Sequence, residues 1–174
     1  GSHFLLEAKL DPVVDDRLNR LGGPAKQALR DAGVRRYRVG KAAGGALPIV
    51  ITNVGDVDLA GRALESIASF IGGTDGFTPA QSDLVISKTG AQTYSITLSD
   101  AGRDDLLERT MSAAIEVIRT RVDALGTREP TIQRQGADRI RIQVPGIGSA
   151  AELKAIIGTT AQLTFNPVVG RTTD

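Results

Sequence analysis

The chain has 174 residues, of which 41% are hydrophobic, 24% are charged and only 3% are aromatic, so aliphatic side chains are expected to fill its core. Its formal net charge of +1 disfavours nucleic acid and other polyanions as partners, and the absence of cysteine excludes disulfides and thiolate metal sites. No stretch approaches the roughly 20 apolar residues of a membrane-spanning helix. We therefore expect the chain itself to be soluble.

The first half of the chain predicts a strand, a helix, two strands, a second helix and a further strand. Asp11-Pro12 is typical of a helix start, because aspartate caps the first turn and proline fits its first position. Apolar residues spaced by three and four indicate the helical segments, and short apolar runs indicate strands. The predicted elements are a strand at 4–10, a helix at 11–33 with a break at 22–24, strands at 34–39 and 47–52, a helix from Asp56 or Asp58 to Phe70, and a strand at 81–87.

The second half predicts the longest helix of the chain and a hairpin after it. A strand at 93–98 leads to a helix that starts at Ser99 or Asp100 and carries apolar residues at spacings of three and four over about five turns. Strands at 131–135 and 139–144 form the hairpin, Ser149 caps a short helix, and a last strand covers 161–165. Gly126 is expected to end the long helix.

The hairpin strand at 139–144 alternates strictly between apolar and polar residues. Successive side chains of a strand point to opposite faces, so Ile140, Ile142 and Val144 are expected on one face. Arg139, Arg141 and Gln143 are then expected on the other. The pattern predicts a sheet with one buried face and one exposed to solvent.

The same order of elements, strand-helix-strand-strand-helix-strand, occurs twice along the chain. We therefore predict an α+β fold of two βαββαβ ferredoxin-like units, with antiparallel sheets and helices on one face. Residues 1–90 form the first half, residues 91–166 the second, and residues 167–174 a tail; a single composite of both halves is the alternative.

Neither a catalytic constellation nor a cofactor or metal motif is apparent, so the chain is not expected to be an enzyme. His3 is the only histidine, which leaves no histidine pair for a metal and places any Ser-His-Asp triad at the chain terminus. The paired glycines do not have the spacing of a phosphate-binding loop. Glu129 next to Pro130 is interpreted as a turn, because carboxylate catalysis requires a second carboxylate across a cleft. An unrecognised enzyme on this frame stays a weaker alternative.

The run from Arg121 to Gly146 joins a helix end, a Glu-Pro turn, a Gln-x-Gln-Gly hairpin and a Pro-Gly stop, and Ala161-Gln-Leu-Thr-Phe165 follows it. This combination closely resembles the signature of the SecD family of protein-export subunits, and the clear motifs cover residues 99–165. The signature residues, which we interpret as caps, turns and hairpin positions, are Gly126, Glu129, Pro130, Gln133, Gln135, Gly136, Pro145 and Gly146.

The resemblance implies the base of a first periplasmic domain, on the periplasmic side of the bacterial inner membrane, with the inserted head and the membrane helices absent. Implied partners are SecF, the SecYEG channel and unfolded preprotein. The resemblance also implies that the domain supports late steps of preprotein export, which depend on the proton-motive force. Gly1-Ser2-His3 is either the end of a family segment or the remnant of a cleaved tag.

Three arginines of the hairpin are the candidate polypeptide contacts, namely Arg134, Arg139 and Arg141. The alternative is that they form an ordinary solvated face. The corresponding alternative for function is a structural scaffold that docks SecF or the head and binds no polypeptide itself.

Overall fold

The computed structural model describes residues 3–126 and 129–158 and the backbone of residues 165–167. The elements in chain order are β1 (His3–Ala8), α1 (Asp11–Arg20), α2 (Gly22–Asp31), β2 (Tyr37–Val39), β3 (Leu47–Ile51), α3 (Val57–Glu65), β4 (Phe70–Ile71), β5 (Gln81–Ser82), β6 (Leu84–Lys88), β7 (Thr93–Leu98), α4 (Asp100–Asp123), β8 (Thr131–Gln135), β9 (Arg139–Gln143), α5 (Ala150–Ile157) and β10 (Phe165–Pro167). All the strand pairs within this described part are antiparallel. The predicted α+β class is confirmed.

The chain divides into two compact units. Unit 1 consists of Gly1–Leu10 and Leu107–Asp174, and unit 2 consists of Asp11–Leu106. Helix α4 begins in unit 2 and ends in unit 1. In the described parts of the chain, no helix combines the length and the apolar character needed to span a membrane.

Unit 1 contains a four-stranded sheet in the order β10-β1-β9-β8. Leu6 of β1 and Ile140 of β9 are register partners and are both buried. Arg134 of β8 is opposite Ile140, hence on the same face, and its side chain reaches Glu108 of α4. Leu6 also lines a narrow cavity with Leu153 of α5. Both helices of unit 1 therefore cover the face of the sheet that carries the buried residues.

The predicted boundary at residue 90 differs from this division because β1 joins the sheet of the second half of the chain. Phe4 pairs with Ile142 and Leu6 with Ile140, so the apolar alternation of β1 continues the buried face of β9. The amide of Ala8 also donates to the carbonyl of Asp138 at 2.7 Å. The order βαββαβ thus occurs in unit 1 as β1-α4-β8-β9-α5-β10, and its first strand is β1 and not the segment 93–98.

Unit 2 begins with two helices and contains a sheet in the order β2-β3-β7-β6. Its core is aliphatic, as the composition predicts, and includes Leu18, Leu29, Ile49 and Ile96, each with no exposed surface. Burial of aliphatic surface at about 25 cal/mol per Å² is the main stabilising contribution here. The helix predicted at 11–33 is interrupted at Leu21, slightly before the predicted break at 22–24, because α1 ends at Arg20 and residues 22–24 form the first turn of α2.

The prediction of a helix extending to Phe70 is wrong. Helix α3 ends at Glu65, and Phe70 lies in β4, where it pairs with Ser82 of β5. The cause is a long-range contact, because the carboxylate of the buried Asp83 accepts a hydrogen bond from the amide of Ser69 at 2.7 Å. Of the predicted last strand at 161–165, residues 161–164 lie outside the described residues, and β10 covers Phe165–Pro167.

Candidate functional site

The face of the unit 1 sheet opposite its helices is polar except at Leu5, and we call it the outer face. It is formed by the side chains of alternate residues of three strands, which are His3, Leu5 and Glu7 of β1, Arg139, Arg141 and Gln143 of β9, and Thr131, Gln133 and Gln135 of β8. The alternation predicted for β9 is confirmed, since Ile140 and Ile142 have no exposed surface whereas Arg139 and Arg141 are exposed.

Cross-strand pairs order the outer face into rows. In the register, Arg141 stands between Leu5 and Gln133, and Arg139 stands between Glu7 and Gln135. The Arg139 guanidinium forms an ion pair with the Glu7 carboxylate at 3.8 Å, and both side chains are nearly half exposed. An exposed pair of this kind contributes at most about 1 kcal/mol and does not fix the arginine in place.

A shallow groove of about 250 Å³ lies on the outer face. Its lining residues are His3, Thr131, Gln133, Arg141 and Gln143. The Arg141 guanidinium lies 3.4 Å from the Nδ1 atom of His3. The lining side chains offer hydroxyl, amide and guanidinium groups, which form hydrogen bonds with a peptide backbone irrespective of its sequence.

The structure separates Arg134 from the other two candidate arginines. Arg134 lies on the helix-covered face, where its Nη1 atom donates to a carboxylate oxygen of Glu108 and its Nη2 atom lies 3.4 Å from the carbonyl of Ala137. Its Nε atom is buried without a hydrogen-bond partner. Arg134 therefore links β8 to α4, and only Arg139 and Arg141 share the outer face.

The signature glycines occupy positions where the backbone demands glycine. Gly126, after the end of α4, has a φ angle of 69°, Gly136 in the β8–β9 hairpin has 69°, and Gly146 after Pro145 has 88°. These positive φ angles are the ones that caps and turns require and that residues other than glycine rarely adopt. Glu129 also has a positive φ of 42°, and Pro130 follows it immediately before β8.

Strand β8 lies at one edge of the sheet. Among the described residues it pairs with β9 alone, so one side of its backbone has no strand partner. Gln133 and Gln135 of the family signature are exposed on this strand. Such an edge can accept an added strand through backbone hydrogen bonds.

Sequence reasoning did not place His3 and Glu7 next to the arginines, because their proximity depends on a pairing between residues more than 130 positions apart. The face on which Arg134 lies, in contrast, could have been predicted from the sequence. The three-residue turn 136–138 sets Gln135 opposite Arg139, and the alternation of the strand then puts Arg134 on the face of Ile140.

Comparison with known families gives a match over residues 111–170 to the family described as protein translocase subunit SecDF, P1 domain, N-terminal. This range includes most of α4, the β8–β9 hairpin and the signature residues. It covers β8 and β9, which supply six of the nine outer-face positions named above, whereas β1, which supplies the other three, lies outside it.

Curated relatives match the chain over almost its whole length. The protein translocase subunit SecD of Rhodobacter capsulatus is 39% identical over 100% of this chain and 31% of its own length. Those of Escherichia coli K12 and Pseudomonas aeruginosa are each 33% identical, over 97% and 95% of this chain and 25% of their own lengths. The chain thus spans between a quarter and a third of these relatives. Together with the family match and the signature residues, this similarity shows that the chain belongs to the SecD family and corresponds to its first periplasmic domain.

Proposed function

We propose that this chain is the periplasmic base of a SecD translocase subunit and that it supports late, proton-motive-force-dependent steps of preprotein export through the Sec channel. Within the whole protein its partners are SecF, SecYEG and the emerging preprotein, and it lies on the periplasmic side of the inner membrane. The base binds the preprotein as an extended, unfolded chain and performs no catalysis.

The observation that carries this proposal is the open edge of β8 beside the polar outer face. An unfolded polypeptide presents the same backbone amides and carbonyls whatever its sequence, and an antiparallel or parallel addition to β8 uses those groups. Export substrates vary in sequence, so recognition through the backbone suits them. Gln133 is exposed on the same strand and supplies further hydrogen bonds.

The outer-face arginines add a weaker electrostatic contribution. Arg139 and Arg141 carry two positive charges against the single carboxylate of Glu7 among the outer-face side chains described. Exposed charges attract acidic segments only modestly, and salt screens the attraction at a Debye length of roughly 8–10 Å in physiological buffers. Binding is therefore expected to be loose, reversible and partly dependent on salt.

The experiment is a titration of the 174-residue chain with a labelled polypeptide that cannot fold, followed by fluorescence anisotropy at low and at high salt. Hydrogen exchange of the complex locates the contact, because pairing with β8 protects its amides. The matched charge variants are Arg141→Glu on the outer face and Arg119→Glu on α4. Arg119 is also exposed, but it lies on a helix and not on the outer face.

We expect saturable binding, protection of the amides of β8 and weaker binding at high salt. Arg141→Glu should weaken binding and remove part of its salt dependence, whereas Arg119→Glu should not. Absence of binding by a chain that gives a folded circular dichroism spectrum would contradict polypeptide capture and favour a scaffold. Binding that protects no amide of β8 would refute the edge as the site.

A further inference from the structure

A hairpin of unit 2 exposes apolar side chains to solvent. The binding proposed for the outer face of unit 1 gives these side chains no role. The hairpin consists of β4, β5 and the loop between them, residues 69–83, and we call it the Phe77 hairpin. Phe77 is 95% exposed and Phe70 is 72% exposed, the two largest values among the large apolar residues described as exposed. Single exposed apolar residues are common, but two phenylalanines in one short hairpin are unexpected in a chain with four.

The tip of the hairpin is held in one conformation by hydrogen bonds to Asp75. One carboxylate oxygen accepts from the amides of Phe77 at 3.0 Å and Thr78 at 2.8 Å, and the other accepts from the Thr78 hydroxyl at 2.8 Å. These bonds lower the pKa of Asp75 to about 2, and the backbone bond from Thr78 has the largest effect. The loop therefore presents Phe77 on an ordered turn, which reduces the conformational entropy that binding must overcome.

The base of the hairpin is anchored to the body of unit 2. Asp83 is buried, accepts from the amide of Ser69 at 2.7 Å and lies 3.7 Å from the guanidinium of Arg17 on α1. The hydroxyl of Ser99, next to α4, donates to the carbonyl of Ser82 at 2.6 Å. The exposed rings are thus attached to a fixed support.

The size of this surface argues against a stable second copy of the chain as its occupant. Aromatic side chains bury roughly 150–250 Å² each, so two phenylalanines supply about 300–500 Å². A stable protein interface needs about 800 Å² per partner. The hairpin therefore suits a weak contact to a partner that is held nearby by other means.

The charge of the hairpin argues against a lipid surface. Residues 69–82 contain no lysine or arginine, whereas anionic membranes are bound through basic residues beside the apolar ones. The charged residue at the tip is Asp75, which is ionised at neutral pH and lies two positions before Phe77. An uncharged, apolar segment of a polypeptide is therefore the partner that suits the Phe77 hairpin.

We propose that Phe77, presented by this hairpin, contacts apolar segments of the unfolded polypeptide, as a second contact in addition to the outer face of unit 1. The inference rests on the proposed function for the identity of its partner. It assigns the two units different tasks, with backbone and acidic segments bound by unit 1 and apolar segments by unit 2.

The test uses the same titration with an unfolded polypeptide rich in apolar residues, at salt concentrations of about 0.05 M and about 0.5 M. Phe77→Ser should weaken binding about five- to tenfold at both concentrations, since partial burial of one phenylalanine ring has that effect. Phe77→Leu should retain most of the affinity. The matched control is Val54→Ser, which removes an apolar side chain that is 69% exposed elsewhere in unit 2 and should change affinity less than about twofold.

Each outcome distinguishes the hairpin from the proposed function. If the unaltered chain binds and Phe77→Ser has the same affinity, the hairpin inference is overturned and capture by unit 1 stands. If the unaltered chain does not bind, polypeptide capture and the hairpin contact fall together. Sedimentation with vesicles of phosphatidylethanolamine and phosphatidylglycerol that depends on Phe77, without an effect on polypeptide affinity, would overturn the inference in favour of a lipid contact.

Discussion

Two adjacent residues of β9 should respond in opposite ways to the same substitution. Ile142 has no exposed surface and Arg141 is exposed, although both lie in a strand that is paired on its two sides. Truncation of a buried isoleucine costs about 2–5 kcal/mol, and a carboxyl group buried without a partner costs about 1–3 kcal/mol more. Ile142→Asp should therefore cost about 3–8 kcal/mol, a large part of the roughly 5–15 kcal/mol by which a domain is stable. Arg141→Asp should cost less than about 1 kcal/mol.

Urea unfolding followed by circular dichroism measures the difference. With a slope of about 2 kcal/mol per M, Ile142→Asp should lower the midpoint by about 1.5–4 M and Arg141→Asp by less than about 0.5 M. If Ile142→Asp does not fold at all, Ile142→Val supplies the same comparison with an expected loss of about 0.5–1.5 kcal/mol. Equal midpoint shifts for Ile142→Asp and Arg141→Asp would refute the assignment of the buried and outer faces.

Three further predictions concern unit 2. Gly102→Ala should lower the free energy of unfolding by about 1–3 kcal/mol, because a Cβ atom there would lie 2.1 Å from the backbone oxygen of Asp83. The control Gly23→Ala has open space around it and should leave the free energy of unfolding unchanged or raise it by up to about 1 kcal/mol. A Gly102→Ala variant that is stabilised in thermal unfolding would contradict the packing. Tyr94→Phe should cost about 0.5–1.5 kcal/mol in the same assay, since the buried hydroxyl donates to a backbone carbonyl at 2.8 Å, and an unchanged midpoint would show that this bond contributes nothing. The pKa of Asp75 is lowered, so its hydrogen bonds fully stabilise the hairpin at pH values above 3.8, the ordinary pKa of the group, and are lost as the pH falls through about 2. The amide resonances of the loop should therefore titrate with a midpoint near pH 2. A midpoint near pH 3.8 would contradict the turn geometry.

Local patterns were sufficient to predict β1, α4, β8, β9 and α5 of unit 1. Strict alternation in β9 gave the correct faces of Ile142 and Arg141. The cap at Ser149 is also confirmed, because its side chain accepts from the amide of Glu152 at 3.2 Å. These features depend on neighbours in the chain, where periodicity and side-chain chemistry determine the outcome.

Features set by distant contacts were not predictable from local patterns. Nothing within residues 3–8 specifies β9 as a partner in preference to a nearer strand, so the composition of the two units was missed. Phe70 continues the apolar spacing of α3, yet the contact of Ser69 with Asp83 directs the chain into a hairpin. The candidate site could not be predicted for the same reason, because Glu7 reaches Arg139 only through the pairing of β1 with β9.

The most direct test of polypeptide capture is site-specific photo-crosslinking in the intact SecD-family protein during export of an arrested preprotein. The crosslinking residue replaces Gln133, which is exposed on the open edge strand β8, and in a control replaces Arg119, which is exposed on α4. We predict a crosslink to the preprotein from the position of Gln133 and none from the position of Arg119. An arrested preprotein that crosslinks at neither position, while the same variants export an unarrested preprotein at the normal rate, would contradict capture by this base.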